Sequence, residues 1–362
     1  MHVLTNTAAK VAIVDARFWP QWEPVLAGSP LESIVVVGGP ADAVPTGPPG
    51  IRVIGIDEWL TGLAPAADIA DPSPLDIACM VYMSGTTGAS KGVLVPWRQW
   101  DARYRSAYIP AEFRTADQVS DSTISPFHVT SKIPPYDAAH QGSSLCTREG
   151  WKTEHFLADL RAHGCTYTIM VGTMAHLLRA EPVRAADADT PLRLISMAPL
   201  FPGIEAFGVR FGVRIVTAYS MTELPMVFYS NTFYAVSEDT YRWCGNPDPA
   251  FGVRLVAEDG SEAAVGAPGE LAVTAEPGVI TPGYLDMPEA IAACWHPVGS
   301  TPATCSCVTP AVATRSRIAR RTPSVAVART SPRSRSRPPS TGTPPCWSRR
   351  RTRCPRSSAR TT

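Results

Sequence analysis

Met83-Ser84-Gly85-Thr86-Thr87-Gly88-Ala89-Ser90-Lys91-Gly92 is the stretch on which the reading of this 362-residue chain turns. An apolar run, Ile77-Ala78-Cys79-Met80-Val81-Tyr82, leads into it, and Val93-Leu94-Val95 leads out. Both runs read as buried strands. Between them lie hydroxyl side chains, three glycines and one lysine. That mixture suits a polyphosphate. Glycine lets backbone N–H groups approach the oxygens, hydroxyls donate further hydrogen bonds, and the lysine adds a cation. The spacing is not the GxxxxGK[ST] of a P-loop NTPase.

Working outward, Val11-Ala12-Ile13-Val14-Asp15, Ile34-Val35-Val36-Val37-Gly38 and Arg52-Val53-Ile54-Gly55-Ile56 are short β-branched runs separated by helical or turn text. This alternation predicts an α/β domain with a parallel sheet. Downstream, the spacing predicts a helix over 97–113, a helix over 154–161 and a strand over 167–171. A further helix opens at 174, and a further strand covers 192–197. Strands over 252–257 and 269–273, with a turn at Glu258-Asp259-Gly260, read as a small β-rich part. Three regions are therefore expected: an α/β core over 1–230, its β-rich subdomain over 231–297, and a tail over 298–362.

Composition sharpens the last boundary. After residue 297 there are 14 arginines, no lysine and no acid. The chain holds 33 basic and 32 acidic residues, so residues 1–297 carry 19 basic against 32 acidic, a net of −13. An Arg/Ser/Pro-rich segment of that kind cannot assemble a core and is expected to be disordered. One rival reading is a tail that binds polyanions, but no aromatic-interleaved module accompanies its charge. No run of about 18 apolar residues exists, so no membrane span is expected. No secretory leader is evident either. Five of the nine cysteines precede residue 298, without metal-ligand spacing. They read as reduced thiols of a cytoplasmic protein.

The loop resembles the signature of the AMP-forming adenylate-forming superfamily, roughly [ST]SG[ST]TGxPKG, with Ser90 where that family usually has proline. Acyl-CoA synthetases, luciferases and peptide-synthetase adenylation domains share it. Other landmarks follow in family order. Ser125-Pro126-Phe127-His128 resembles the strand end beside the carboxylic substrate. Ala198-Pro199-Leu200 resembles the segment that packs on adenine. Tyr219-Ser220-Met221-Thr222-Glu223 resembles YGxTE, with Ser220 in place of glycine. Thr281-Pro282-Gly283-Tyr284-Leu285-Asp286-Met287-Pro288-Glu289-Ala290 resembles GYxxxPEAT, with Ile291 where the family has threonine. The likeness runs from about residue 4 to Trp295.

The resemblance implies an acyl-CoA synthetase-like large domain: parallel-rich sheets flanked by helices, plus a small β-subdomain. It implies ATP and Mg²⁺, with CoA as co-substrate. Ser84, Gly85, Thr86, Thr87, Gly88, Ser90, Lys91 and Gly92 would cradle the phosphates. Ala198, Pro199 and Tyr219 would meet adenine, with Ser220 and Met221 beside them. Thr222 would bind the α-phosphate and Glu223 would hold Mg²⁺, a hard cation that prefers oxygen. Phe127 would line the acyl pocket, and His128 would stand by the reacting carboxylate or gate it. Amino-acid-activating relatives usually carry an aspartate near there, and its absence argues against an amino-acid substrate. The 281–290 segment would be structural. The text resembles the crotonobetaine/carnitine-CoA ligase-like group most. Two alternatives stay open: a stand-alone adenylation enzyme that loads a carrier protein, and a nucleotide-binding or non-functional fragment.

By the same resemblance, roughly the first hundred residues and the C-terminal lid of a typical member are missing. A shifted frame would account for the text after residue 297. Thr301-Pro302-Ala303-Thr304-Cys305-Ser306 can be written ACA CCG GCG ACC TGT TCG. Read from the last base of a preceding TCC codon, those bases give HTGDLF, the family's next landmark. In the same register, residues 319–330 can yield RKKDTIRRRGEN, which holds two more. This chain is therefore expected to be an impaired acid–thiol ligase.

Overall fold

In the computed structural model the described residues are 2–39, 44–64, 69–83, 90–230, 235–257, 259–264, 267, 269–294 and 305–312. No helix among them is long and apolar enough to cross a membrane.

The first sheet is parallel throughout, β1 (Val11–Asp15), β2 (Ser33–Val37) and β3 (Arg52–Gly55) in that order. Helix Trp19–Leu26 connects β1 to β2, with Pro20 in its first turn, where a missing N–H costs nothing. It buries Trp19 and Leu26 against Val14, Ile34 and Val36.

Next comes an antiparallel hairpin, β4 (Ile77–Met83) and β5 (Lys91–Pro96), which pairs Tyr82 with Gly92 and Met83 with Lys91. The phosphate-loop candidate thus closes a hairpin. Gly92 packs closely there: a Cβ would lie 3.0 Å from the Tyr82 ring, which would have to shift to admit it.

The largest sheet contains β6 (Val119–Ser122), β7 (Ser144–Thr147), β8 (Tyr167–Val171), β9 (Leu194–Ala198) and β10 (Arg214–Val216), in spatial order β10-β9-β8-β6-β7. Every pairing is parallel. β8 and β9 are buried along four of their five residues, as expected of strands covered on both faces. Met170, Ile195 and Met197 face helices Phe156–His163, Gly172–Ala180 and Ile204–Phe211 through Leu160, Met174 and Phe207. Tyr167, Ile169 and Leu194 face the hairpin's Val81, Val93 and Val95 and the helical residues Trp100 and Ile133. The sheet is therefore the middle layer, with the hairpin on one side.

Two antiparallel sheets complete the described chain. One contains β11 (Ala218–Tyr219), β12 (Phe228–Tyr229) and β13 (Asn246–Pro247). The other contains β14 (Gly252–Val256), β15 (Gly269–Ala275) and β16 (Cys305–Val312). Of the expected tail, only β16 falls among the described residues.

Several element bounds differ from the sequence expectation. The helix over 97–113 ends at Arg105, and Ala111–Phe113 is a separate 3-10 turn behind Pro110. Proline removes a helical donor and biases the residue before it to extended backbone. The helix over 154–161 begins at Phe156, after a 3-10 turn at Thr153–His155. It ends at His163, where Gly164 takes the left-handed cap at φ +66°.

Candidate active site

Parallel strands that share a direction end on one edge, and α/β sheets place ligands outside their carboxyl ends. Four exits gather there: 123–128 after β6, Gly172 after β8, Ala198-Pro199 at the end of β9, and 217–219 after β10. The predicted residues His128, Ala198, Pro199 and Tyr219 thus belong to one edge of one sheet. Ala198 and Pro199 are exposed there, joined by a cis peptide bond. Tyr219 is half-buried, edge-on to Phe228 at 6.0 Å between ring centres, and its hydroxyl donates to Met221 Sδ at 3.5 Å.

The hairpin meets this edge through residues 281–285. Leu94 N–H donates to Gly283 O at 3.0 Å, and Leu285 N–H donates to Gly92 O at 2.8 Å. Val93 and Tyr284 form an antiparallel bridge. At the other end Thr281 N–H donates to Glu223 O at 3.0 Å. The segment therefore straps the start of β5 to the Thr222-Glu223 turn. Tyr284 stands in the middle. Its hydroxyl donates to Glu223 Oε1 at 2.8 Å, and Lys91 Nζ lies 4.9 Å from its ring centre. An ammonium over an aromatic face is attracted by the ring quadrupole. The sequence reading singled out Lys91 and Glu223 but missed Tyr284. Their convergence depends on strap geometry that spacing does not carry.

Helix Trp97–Arg105 clamps the same turn from below. Gln99 Nε2 donates to Thr222 O at 2.9 Å, and Arg103 Nη2 donates to Met221 O at 2.8 Å and Leu224 O at 3.0 Å. Gln99 and Arg103 sit four apart, on one helix face. Both are buried. Burial pulls Arg103 down to about 10, against the nearby Tyr108, Cys79 and Glu223, which favour its charge. It stays cationic at neutral pH. Neither residue stood out in the sequence, because a buried Arg in a polar-looking helix has no local signature.

His128 caps the 3-10 turn Val129–Lys132, its Nδ1 accepting from Thr130 N–H at 3.1 Å. The proton of the neutral ring therefore sits on Nε2. Partial burial, with the Arg103 charge behind it, lowers its pKa below the ordinary 6.5. At neutral pH His128 is uncharged. Phe127 is 76% exposed. Ser84, Gly85, Thr86, Thr87 and Gly88 lie outside the described residues. Ser90 is half-buried, and its carbonyl lies 3.0 Å from His2 Nε2.

Glu223 suits a cation. Its carboxylate is buried at 2% exposure. Oε1 is taken by Tyr284, and Oε2 has no hydrogen-bond partner among the described residues. Mg²⁺ is typically held by one or two carboxylates plus phosphates and water, so a carboxylate with one oxygen left unpartnered among the described residues fits it. A different cluster, Asp121 with Cys146 and Cys165, also combines metal-ligating side chains. There Asp121 is already committed: Arg148 binds it through Nε (2.8 Å) and Nη2 (2.9 Å), and Thr168 Oγ1 donates to it at 2.9 Å. A buried carboxylate so paired is structural.

Comparison with known proteins bears on the family and the fold. The family model described as AMP-binding enzyme matches residues 1–285. The medium/long-chain-fatty-acid–CoA ligase FadD17 of Mycobacterium marinum is 31% identical over 218 residues, covering 59% of this chain and 42% of the relative. The crotonobetaine/carnitine–CoA ligase of Salmonella paratyphi A is 26% identical over 313 residues, 82% of this chain and 57% of that protein. This chain spans about half the length of these relatives. Among solved structures, ATP-bound MatB from Rhodopseudomonas palustris shares the fold, with TM-score 0.69 and 18% identity, over 90% of this chain and 60% of that one. The family match over residues 1–285, most of the length, makes this chain a member of the AMP-binding enzyme family.

Proposed function

We propose that this chain carries the ATP-handling part of an AMP-forming acyl-CoA ligase. The observation that supports it best is the convergence of Lys91 and Glu223 on one tyrosine between the loop hairpin and the Thr-Glu turn. In the proposed reaction a carboxylate oxygen attacks the α-phosphorus of ATP. The bond from that phosphorus to the bridging oxygen breaks, and pyrophosphate leaves. A CoA thiolate then attacks the acyl carbon and expels AMP. No protein nucleophile is needed.

Lys91 Nζ would hold the β- and γ-phosphate oxygens and offset the charge that collects on departing pyrophosphate. Thr222 would contact the α-phosphate. Glu223 would supply the carboxylate of a Mg²⁺ site, and the cation would add further charge neutralisation when bound. Tyr219 would pack on adenine beside Ala198 and Pro199. Phe127 and neutral His128 would border the acid, and a neutral imidazole can accept a hydrogen bond without competing for the carboxylate as a cation. The place of action would be the cytoplasm. The text after residue 297 supplies no counterpart in frame to the family's ribose aspartate, so slow turnover is expected.

ATP–pyrophosphate exchange with a panel of fatty and short-chain acids tests the reading. Slow exchange with at least one acid is expected, and Lys91→Ala should lower it by about 10²-fold, the scale for losing one preorganised charge-stabilising group. Exchange that Lys91→Ala leaves unchanged would sink the proposal.

A further inference from the structure

Tyr284 lies in a stretch that the sequence reading assigned a structural role, yet its surroundings are those of a site. The residue is 5% exposed and Glu223 is 2% exposed. Buried carboxylate oxygens are as a rule hydrogen-bonded, to protein or to ordered water. Here Oε1 is, by the Tyr284 hydroxyl at 2.8 Å, and Oε2 is left without a partner among the described residues. The Tyr284 ring also carries the Lys91 ammonium, 4.9 Å from its centre. No ion pair joins Lys91 to Glu223 among the described residues. One tyrosine thus touches both opposite charges, the ammonium at its ring and the carboxylate at its hydroxyl.

The backbone holds the ring there. Residues on both sides of Tyr284 bond to β5, through Gly283 O and Leu285 N–H, and Thr281 bonds to Glu223 itself. Thr281 Oγ1 donates to Leu94 O at 2.5 Å. Gly283 has φ +141°, and a Cβ there would stand 2.6 Å from Ile291 Cδ1. Helix Pro288–Cys294, which carries Ile291, therefore backs the strap closely. Any movement of Tyr284 has to move β5 or the Glu223 turn.

We propose that Tyr284 is a positioning residue for nucleotide activation. It rests on the adenylation reading above. Its hydroxyl fixes Glu223 Oε1 so that Oε2 remains the carboxylate's free oxygen for a cation. Its ring seats Lys91 and keeps the lysine from collapsing onto Glu223. One side chain thereby keeps the cationic and anionic arms of the site separately available, Lys91 to phosphate and Glu223 to metal.

Calorimetric titration of the 362-residue protein with ATP, with and without Mg²⁺, tests the assignment. Melting curves run in parallel. Tyr284→Phe keeps the ring and removes the hydroxyl. Its metal-free ATP affinity should stay within about twofold of the parent. The enhancement of ATP binding by Mg²⁺ should fall by about tenfold, as expected when a hydrogen bond to a charged group is lost. Tyr284→Leu removes the ring as well, and should weaken metal-free binding too, because Lys91 loses its seat. Equal Mg²⁺ enhancement in parent and Tyr284→Phe overturns the positioning role alone. Loss of metal-free binding together with a lowered melting temperature in Tyr284→Phe also overturns it, in favour of a purely structural tyrosine. A parent protein whose ATP binding ignores Mg²⁺ overturns the adenylation reading, and this assignment with it.

Discussion

Asp137 is a carboxylate that the proposed chemistry does not use. It sits on helix Ile133–Gln141 at 6% exposure, beneath Tyr108 and Tyr167, whose hydroxyls are 3.3 Å apart. Burial pushes its carboxyl from the ordinary 3.8 up to about 7, and the Arg114 charge pulls weakly the other way. The sign of the stability effect follows from linkage. Above 3.8 the unfolded chain ionises at this residue while the folded chain keeps its proton. Stability from this group is therefore complete below 3.8 and is lost as the pH rises through about 7. Asp137→Asn removes that loss. Urea unfolding should show the variant more stable than the parent by roughly 1–2 kcal/mol at pH 8 and nearly equal at pH 4. A difference that is the same at both pH values would mean that packing, not ionisation, sets the cost.

At the scale of elements, one helix and one strap organise the site. Both attach to β5, so the loop hairpin positions the Thr-Glu turn although more than a hundred residues separate them in the chain. Arg103 is the strongest link of the helix, with two carbonyls on one Nη and a stack on Trp100 at 5.5 Å. Arg103→Met keeps most of the volume and leaves the carbonyls of Met221 and Leu224 without that donor. A loss of about 2–3 kcal/mol in stability is expected, since breaking a buried charged hydrogen bond strands its partners. Amide exchange across 221–224 should accelerate with it. Unchanged protection there would show that the strap alone holds the turn.

The same elements explain what was legible beforehand. β2, β8 and β9 were readable because strands covered on both faces are near-continuous Val, Ile, Leu and Met runs. The loop and the Thr-Glu turn were readable because glycine, hydroxyl and acid cluster where a strand ends. The antiparallel pairing of β4 with β5 follows from a short connection. Tyr284, Gln99 and Arg103 were not legible. Each acts through contacts more than 60 residues away in sequence. A Gly-Tyr pair or a Gln and Arg four apart on a helix is common text. Long-range partners of this kind exist only once the sheet order β10-β9-β8-β6-β7 brings the strand exits together.

On the scale of the whole molecule, the parallel sheet β1-β2-β3 differs from the large sheet. β8 and β9 have both faces covered, whereas β1 shows an alternating pattern, with Ala12 and Val14 buried, Val11 54% exposed and Ile13 62% exposed. β1 also ends the sheet, so its outer backbone groups have no strand partner among the described residues. Parallel sheets rarely leave a face bare, and an apolar edge strand is a template for pairing with another chain. Phe18, 52% exposed, lies just beyond β1 and extends the apolar surface. Self-association through this edge is therefore expected at raised protein concentration. Ile13→Lys places a charge on the exposed face without touching Val14, Ile34 or Val36 on the buried one. Light scattering should show less association for the variant over a concentration series. Its unfolding midpoint should stay within about 0.5 kcal/mol of the parent, the usual scale for an exposed substitution. If association persists undiminished in Ile13→Lys, the contact lies elsewhere on the surface. If stability drops well beyond that scale, Ile13 is covered in solution and the edge is not free.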